Sequence, residues 1–217
     1  MLECEAVPVE WRRTYAIAAY TGLRPNELRV LTWADVDFAA GTVNVSKAWD
    51  VEVHEVKTTK TPASRRVIPL ERALRQLLAG EPDACVVDLG VDADRGHGGA
   101  FREHLTRAGV SRPRLHVTNA TEMAVDFRSL RDSYATWCAL AGIPDKAVQR
   151  RLGHTSGETT DGYTKVAEVV GAEGVGTPFA PLPECLLTER VTKRTAEPSF
   201  PRRTRRPRQE SDLRPSV

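Results

Sequence analysis

Two predicted helices meet in the stretch Thr21-Gly22-Leu23-Arg24-Pro25-Asn26-Glu27-Leu28. The apolar residues upstream follow a helical stripe from about Val9 to Thr21, and Gly22 is a typical residue at which a helix ends. Proline suits the first turn of a helix, so the next helix is expected from Pro25 to about Trp33. Arg24 therefore lies at a helix start, where it can share an anion with backbone amides. The alternative is a surface arginine that pairs with Glu27.

The rest of the chain combines short strands with helices. Alternating residues predict strands at Thr42–Val45 and Arg66–Leu70, a candidate strand at Val51–Val53, and a polar hairpin at Lys57–Ser64. Helical patterns lie at Glu71–Ala79, Phe101–Ala108, Ser129–Ala141, Asp145–Leu152 and Glu158–Val170. Residues 81–99 are rich in Asp and Gly and are interpreted as an irregular connection. The expected fold class is α+β, mainly α-helical with one small antiparallel β-sheet.

Composition allows one folded domain with a basic tail. The chain has 217 residues, of which 41% are hydrophobic, and its formal net charge is +2. Residues 191–217 carry eight Lys or Arg against three Asp or Glu, which leaves 23 basic and 26 acidic residues elsewhere. A basic tail on a mildly acidic body is typical of a disordered extension with nonspecific affinity for phosphate. We expect no packed structure beyond about Pro181.

Cysteine usage and hydropathy indicate the compartment. The four cysteines form no CxxC pair and no metal-binding spacing, which favours reduced thiols in the cytosol. The N-terminal residues lack the apolar run of a signal peptide, and no apolar stretch reaches the roughly 18 residues that a membrane span needs. The sequence therefore predicts a soluble, cytoplasmic protein with no membrane association, no metal and no cofactor.

Several side chains suit chemistry at a phosphodiester, which requires fixed cations, a proton donor and a nucleophile. Lys60 lies in the predicted hairpin, where a desolvated lysine can reach into a groove and release a proton. Lys57 is a rival for that role, and either residue could be an ordinary solvated lysine. Arg128 and Arg131 are three residues apart on a predicted helix, so both can meet one ligand, unless both are simply exposed.

A histidine and a tyrosine complete the set. His154 follows Leu152-Gly153 at a predicted helix end, where it can donate to a phosphate oxygen. Tyr163 lies nine residues further on, and a tyrosine oxygen can attack phosphorus where cations stabilise its phenolate. A half-buried core tyrosine is the alternative interpretation.

In order and spacing, these segments resemble the blocks of the tyrosine recombinase family of the phage-integrase type. Four stretches carry the resemblance, namely Thr21–Leu28, Lys60–Leu70, Arg128–Trp137 and Leu152–Tyr163 with Leu-Gly-His and Thr-Thr before the tyrosine. The resemblance extends over about Val9 to Val170. It implies a catalytic domain of that fold, DNA as the substrate, and a role in DNA recombination and integration by a mobile genetic element.

The resemblance also assigns roles to residues. Tyr163 would attack the scissile phosphate and form a 3′-phosphotyrosyl link, while Arg24 and Arg131 would bind the nonbridging oxygens. Lys60 would protonate the departing 5′ oxygen, and His154 would assist on the phosphate. The covalent bond would conserve the phosphodiester energy, so that no cofactor is needed.

Further contacts and partners are implied in the same way. Lys57 and Arg65 are expected to contact DNA, and the expected assembly is a homo-oligomer on DNA, a tetrameric synapse. The expected domain layout is a lead-in at 1–8, a catalytic domain at 9–172 and a Pro/Arg-rich tail at 173–217. The helical DNA-binding domain that usually precedes the catalytic domain is expected to be absent, as in a natural minimal form or a truncated gene.

Three alternatives to an active recombinase stay open. One is a non-enzymatic remnant that keeps the fold and at most weak DNA affinity. A type IB topoisomerase would use similar chemistry, but the blocks favour the integrase form. The third is an unrelated helical DNA-binding or scaffold protein. The sequence also leaves open whether Tyr163 enters the active site of its own subunit or of a neighbour.

One departure from the family pattern yields a prediction. Arg128 stands where the third block usually has histidine, and a guanidinium donates hydrogen bonds but cannot act as a general base. Arg128 is then a third phosphate ligand, and the tyrosine loses its proton to water or to another group. We expect Arg128→His to retain activity and Arg128→Ala to lose much of it, measured as covalent adduct formed on a nicked suicide DNA duplex. A fully active Arg128→Ala protein would refute this role.

Overall fold

The computed structural model describes residues 1–58, 64–78, 97–154, 162–169 and 176–188. Within these ranges, helices predominate and surround small antiparallel sheets, which confirms the mainly helical α+β fold class. Several expectations concern residues outside the described ranges. They include most of the 81–99 connection, the tip of the hairpin with Lys60, the Thr-Thr pair before the tyrosine, and the tail beyond residue 188.

Helix α1, Val9–Thr21, has the predicted bounds and forms the centre of the core. Its end is fixed by Gly22, which has a φ of 63° and lies against Tyr134. A Cβ atom at Gly22 would lie only 2.5 Å from the Tyr134 ring, so a side chain is excluded by space as well as by conformation. Tyr15 of α1 is buried and packs against Phe101.

Helix α2, Pro25–Leu28, starts at the predicted proline but is only one turn long. The prediction of a helix to about Trp33 is wrong because the Asp35 carboxylate accepts hydrogen bonds from the backbone amide and hydroxyl of Thr32, at 2.9 and 2.7 Å. These local bonds begin a separate 3₁₀ turn at Trp33–Asp35. The chain therefore turns directly after α2 rather than continuing as a helix.

Five strands form two sheets in the described part of the chain, where one sheet was expected. Strands β1 (Val36–Asp37), β2 (Thr42–Val45) and β5 (Arg66–Pro69) form one antiparallel sheet with β2 in the middle. Strands β3 (Lys47–Asp50) and β4 (Glu55–Thr58) form a separate hairpin. The bounds of β2 confirm the prediction, and β5 confirms the strand predicted at Arg66–Leu70, one residue shorter.

The candidate strand at Val51–Val53 is wrong, since residues 51–54 form the turn between β3 and β4. The Asp50 carboxylate accepts hydrogen bonds from the amides of Glu52 and Val53, and His54 has a φ of 54°. An aspartate that bonds the amides two and three residues on reverses the chain, which outweighs the β propensity of valine.

The remaining described helices follow in chain order. They are α3 (Arg72–Leu78), α4 (His97–Arg107), α5 (Ser129–Leu140), α6 (Asp145–Leu152), α7 (residues 162–169) and α8 (Glu184–Thr188). Helix α5 packs on α1, and α6 packs on α5 and on β5. The C-terminal ends of α1 and α6 consequently meet beside α5, where the candidate site lies.

The expectation of no packed structure beyond about Pro181 is wrong. Leu182 and Leu186 are both buried in the core, and Arg13 of α1 donates a hydrogen bond to the Leu186 carbonyl at 3.5 Å. The proline-rich composition concealed two leucines, Leu182 just before the short helix α8 and Leu186 within it. Among the described helices, none is long and apolar enough to cross a membrane.

Candidate active site

The site is organised by a buried ion pair between Glu27 of α2 and Arg66 of β5. The two guanidinium nitrogens of Arg66 donate to the two carboxylate oxygens of Glu27, at 2.8 and 2.7 Å. Both side chains are almost fully buried. The Nε atom of Arg66 also donates to the Arg151 carbonyl at 2.7 Å. One paired guanidinium thus joins α2, the three-stranded sheet and the end of α6.

Glu27 also binds Arg24, which is the first arginine of the site. The Arg24 amide donates to Glu27 Oε2 at 2.8 Å, and its Nη1 donates to Oε1 at 2.9 Å. Burial alone would raise the pKa of Glu27, but the hydrogen bonds and charges of Arg66 and Arg24 lower it overall. The carboxylate therefore stays ionised and fixes two guanidinium groups.

Arg24 is oriented towards α6 while keeping access to solvent. Its Nη2 donates to the Gly153 carbonyl at 3.2 Å, and its side chain is 41% exposed. The pairing with Glu27 proposed as an alternative is present, but the partner is a buried carboxylate that holds Arg24 in place. A positioned and partly exposed guanidinium can bind an anion from solvent.

Arg131 of α5 is held by the ends of two other helices. Its Nη1 donates to the Gly22 carbonyl at 2.7 Å, and its Nη2 donates to the Leu152 carbonyl. The residue is only 5% exposed, so the alternative of a free surface arginine is excluded. Burial, followed by the charges of Arg24 and Arg66, lowers its pKa to about 10, which still leaves a cation at neutral pH.

His154 follows Gly153, whose φ of 66° ends α6 and turns the chain towards the arginines. Burial and positive charge lower the pKa of His154 to about 4, so its imidazole is neutral near pH 7. The charges responsible belong to four arginines, namely Arg131, Arg24, Arg66 and Arg128. Because four arginines act on one imidazole, His154 lies near the middle of the site.

Tyr163 of α7 is placed beside α5. Its hydroxyl donates a 2.6 Å hydrogen bond to Oδ1 of Asp132, the residue that follows Arg131. Burial, then the hydrogen bond and charge of Asp132, raise its pKa to about 12, although Arg131 and Arg128 act in the opposite direction. The phenol is therefore neutral in this structure and already bound to a carboxylate.

The other predicted residues occupy different positions. Arg128 is the residue before α5, with an exposed side chain whose charge acts on His154 and Tyr163. Lys57 forms a 2.8 Å salt bridge with Asp50 on the β3–β4 hairpin, which raises its pKa and makes proton release harder. Lys60 lies outside the described residues.

A groove of about 690 Å³ borders the site between β5 and α6. Its lining includes Arg65 and Arg66 from the strand side, Lys146 and Arg150 from α6, and His154. Arg65 is exposed, as its expected contact with DNA requires. The concentration of positive charge in a concave surface favours a polyanion.

Two participants were missed by sequence reasoning. Arg66 was passed over as part of the Ser-Arg-Arg block, and only its partnership with Glu27 reveals its structural role. Asp132 lies four residues after Arg128, at the start of α5. This helical spacing was the available signal that the two side chains lie near each other. Among the described residues, no group of three or more His, Cys, Asp or Glu side chains could hold a metal ion.

The fold and site together define a small helical domain with a tyrosine beside a set of fixed arginines. The model of the phage integrase family matches residues 2–169, which is more than half of the chain. The chain therefore belongs to the phage integrase family. No curated protein matches the chain significantly.

Solved structures share this fold. XerA recombinase aligns with a TM-score of 0.54 and 20% identity, over 79% of this chain and 59% of its own. The Tn1549 transposon integrase (residues 82–397) in complex with circular intermediate DNA aligns with a TM-score of 0.54 and 24% identity, over 73% and 58%. The same integrase with transposon right end DNA gives 0.53 and 21%, over 74% and 58%. The chain thus spans about three fifths of these structures.

Removing the Glu27 carboxylate tests its organising role. We expect Glu27→Gln to lower the free energy of unfolding at neutral pH by ~3 kcal/mol or more, because two guanidinium groups lose their buried counterion. The pKa of Glu27 is lowered by folding, so its stabilisation is present above the ordinary glutamate pKa of about 4.3 and is lost as pH falls through the lower folded value. The difference between the two proteins should therefore shrink in acid.

Urea unfolding at a series of pH values measures this difference. Glu103→Gln is the matched control, because Glu103 pairs with Arg107 on an exposed helix face and its removal should leave the unfolding midpoint nearly unchanged. Equal stability of Glu27→Gln and wild type at neutral pH would contradict the account.

Proposed function

We propose that this chain is the catalytic domain of a site-specific recombinase that cleaves and rejoins DNA through a 3′-phosphotyrosyl intermediate. The observation that carries the proposal is the position of the Tyr163 hydroxyl, bound to the residue next to Arg131. The arginines, His154 and the tyrosine come from separate segments of the chain. Packing of a core tyrosine alone would not explain why several cations lie beside it.

The proposed phosphate site consists of Arg24, Arg131 and His154. The guanidinium groups bind the nonbridging oxygens and offset the charge that builds up on them during attack. The neutral imidazole of His154 donates one further hydrogen bond from its protonated nitrogen. Because these groups are fixed by Glu27 and by helix-end carbonyls, little reorganisation is needed when the phosphate binds.

The reaction exchanges one phosphoester for another. The Tyr163 oxygen attacks phosphorus, the bond from phosphorus to the 5′ oxygen breaks, and the 3′ end stays linked to the tyrosine. Rejoining reverses these steps with a 5′ hydroxyl as the nucleophile, so no external energy source is required. Arg128, exposed at the start of α5, serves as a third donor to the phosphate.

A lysine is proposed to protonate the departing 5′ oxygen. Lys57 is held by Asp50, and the bridge raises its pKa, so it is the poorer donor of the two candidates. We therefore assign this role to Lys60. Lys57 and Arg65 are instead proposed to contact the DNA backbone, where exposed cations gain affinity by releasing counterions.

The active assembly is proposed to be a homo-oligomer on DNA, a tetrameric synapse. Tyr163 contacts Asp132 of its own chain, and this contact supports delivery of the tyrosine to the active site of the same subunit. The basic groove beside His154 supplies a surface along which the DNA backbone can lie.

A covalent trapping experiment tests the proposed function. The substrate is a pool of nicked DNA duplexes with a randomised core, since cleavage near a nick releases a short fragment and prevents rejoining. We expect wild type to form a protein–DNA adduct that survives denaturing electrophoresis, and Tyr163→Phe to form none because it lacks the attacking oxygen.

Tyr134→Phe is the matched control, since Tyr134 is fully buried in the core and removal of its hydroxyl leaves the site intact. Adduct formation by both wild type and Tyr134→Phe, combined with its loss in Tyr163→Phe, supports the enzyme. A wild-type chain that binds DNA without forming an adduct supports the non-enzymatic remnant instead.

A further inference from the structure

We propose that the Asp132 carboxylate is the catalytic group that accepts the proton of Tyr163 when the tyrosine attacks DNA. The inference rests on the proposed function and answers the question that Arg128 raises, namely where the phenolic proton goes. Its basis is the 2.6 Å hydrogen bond in which the Tyr163 hydroxyl donates to Asp132 Oδ1. The acceptor is therefore in place before DNA arrives.

The neighbouring charges leave this role to Asp132. Within the described part of the chain, the charged groups with the largest effects on the Tyr163 phenol are Asp132, Arg131 and Arg128. Guanidinium groups carry no acceptor and remain protonated, so neither arginine can take the proton. Asp132 accepts it through the existing bond, without a change of rotamer or an intervening water.

The position of Asp132 on α5 suits a shared role with the arginines. Asp132 lies in the first turn of α5, where the helix dipole favours a negative charge. Its neighbour Arg131 is anchored to the carbonyls of Gly22 and Leu152, so the base and a phosphate ligand are fixed by consecutive residues of one helix. A phosphate that binds Arg131 is thereby brought close to the tyrosine whose proton Asp132 accepts.

The proposed step balances atoms and charge. As the Tyr163 oxygen forms its bond to phosphorus, the phenolic proton moves to Asp132 Oδ1, and the bond to the 5′ oxygen breaks. The 5′ oxygen is protonated separately by the acid assigned to Lys60. In rejoining, the 5′ hydroxyl attacks and gives its proton back to Lys60, the tyrosine departs, and the proton held by Asp132 returns to the phenol.

The resting contact has a cost that the reaction must overcome. A carboxylate next to a phenol opposes the phenolate, and this effect follows burial among the causes that raise the pKa of Tyr163 to about 12. Free ionisation is thus rare at neutral pH, and attack requires the proton to leave as the new bond forms. A general base in contact with the nucleophile meets that requirement.

The test uses Asp132→Asn in the full chain, with a nicked DNA pool in which sulfur replaces the bridging 5′ oxygen. A thiolate leaves without being protonated, so the measured rate of adduct formation reports on the tyrosine rather than on Lys60. Asparagine has the same shape and still accepts the phenolic hydrogen bond through its amide oxygen, but it is a negligible base.

We expect the wild-type rate to be nearly flat between about pH 7 and pH 9, because transfer of the proton to Asp132 does not require the phenol to ionise beforehand. Asp132→Asn should be slower by about 10²-fold at neutral pH, within the usual contribution of general base catalysis. Its rate should rise about tenfold per pH unit, because only the small ionised fraction of the phenol then reacts. Asp132→Glu, which retains a carboxylate, should recover part of the rate and the flat profile.

The matched control is Asp145→Asn. The Asp145 carboxylate accepts a 2.6 Å hydrogen bond from the hydroxyl of Thr164, the residue after the nucleophile, but lies outside the proposed catalytic set. Its amide variant should have the rate and pH profile of wild type. This comparison separates a base from a carboxylate that merely docks α7.

Two outcomes overturn the proposal, and they are distinguishable. If Asp132→Asn reacts as fast as wild type or faster, with the same pH profile, Asp132 only restrains the tyrosine and the proposed function stands. If wild type itself forms no adduct at any pH, the proposed function fails and the base role fails with it.

Discussion

The buried carboxylate of Glu27 is the interaction on which the arrangement of this protein depends. Its two oxygens bind Arg66 of the sheet and Arg24 at the start of α2, and Arg66 also binds the carbonyl end of α6. A single negative charge therefore holds together two guanidinium groups that would otherwise repel each other. Because breaking one partner of a buried pair costs ~3–5 kcal/mol, the pair also makes the geometry of the cations rigid.

Backbone carbonyls at two helix ends also bind the arginines of the site. Arg131 is bound by the carbonyls of Gly22 and Leu152, and Arg24 by the carbonyl of Gly153, so the C-terminal ends of α1 and α6 supply partial negative charge to both arginines. Burial and the same cations depress the pKa of His154 to about 4, whereas burial and Asp132 raise that of Tyr163 to about 12. A fixed positive site beside a tyrosine hydroxyl suits the chemistry proposed at a phosphodiester.

Local features of this site were predictable, and long-range contacts were not. Gly22 ends α1 as predicted, because the need for positive φ is encoded in the residue itself. The prediction that α2 extends to about Trp33 was wrong because the Asp35 carboxylate caps a separate turn. A hydrogen bond of this kind, in which a side chain competes with the helix, leaves only a weak signal in the sequence. The resemblance brought Arg24, Arg131, His154 and Tyr163 together, but the contact of Tyr163 with Asp132 spans 31 residues and depends on how α7 packs. Lys60 stays a prediction.

The central claim is that the arginines neutralise the charge of a scissile phosphate, and a neutral substrate tests it most directly. The measurement is the rate of adduct formation by wild type and Arg24→Ala on nicked DNA with either a phosphate or an uncharged methylphosphonate at the cleavage position. Loss of Arg24 should slow the reaction by about 10²-fold or more on phosphate, as for other groups that stabilise developing charge. On methylphosphonate, where the charge that Arg24 offsets is absent, the variant should approach the wild-type rate. An equal defect on both substrates would contradict the account.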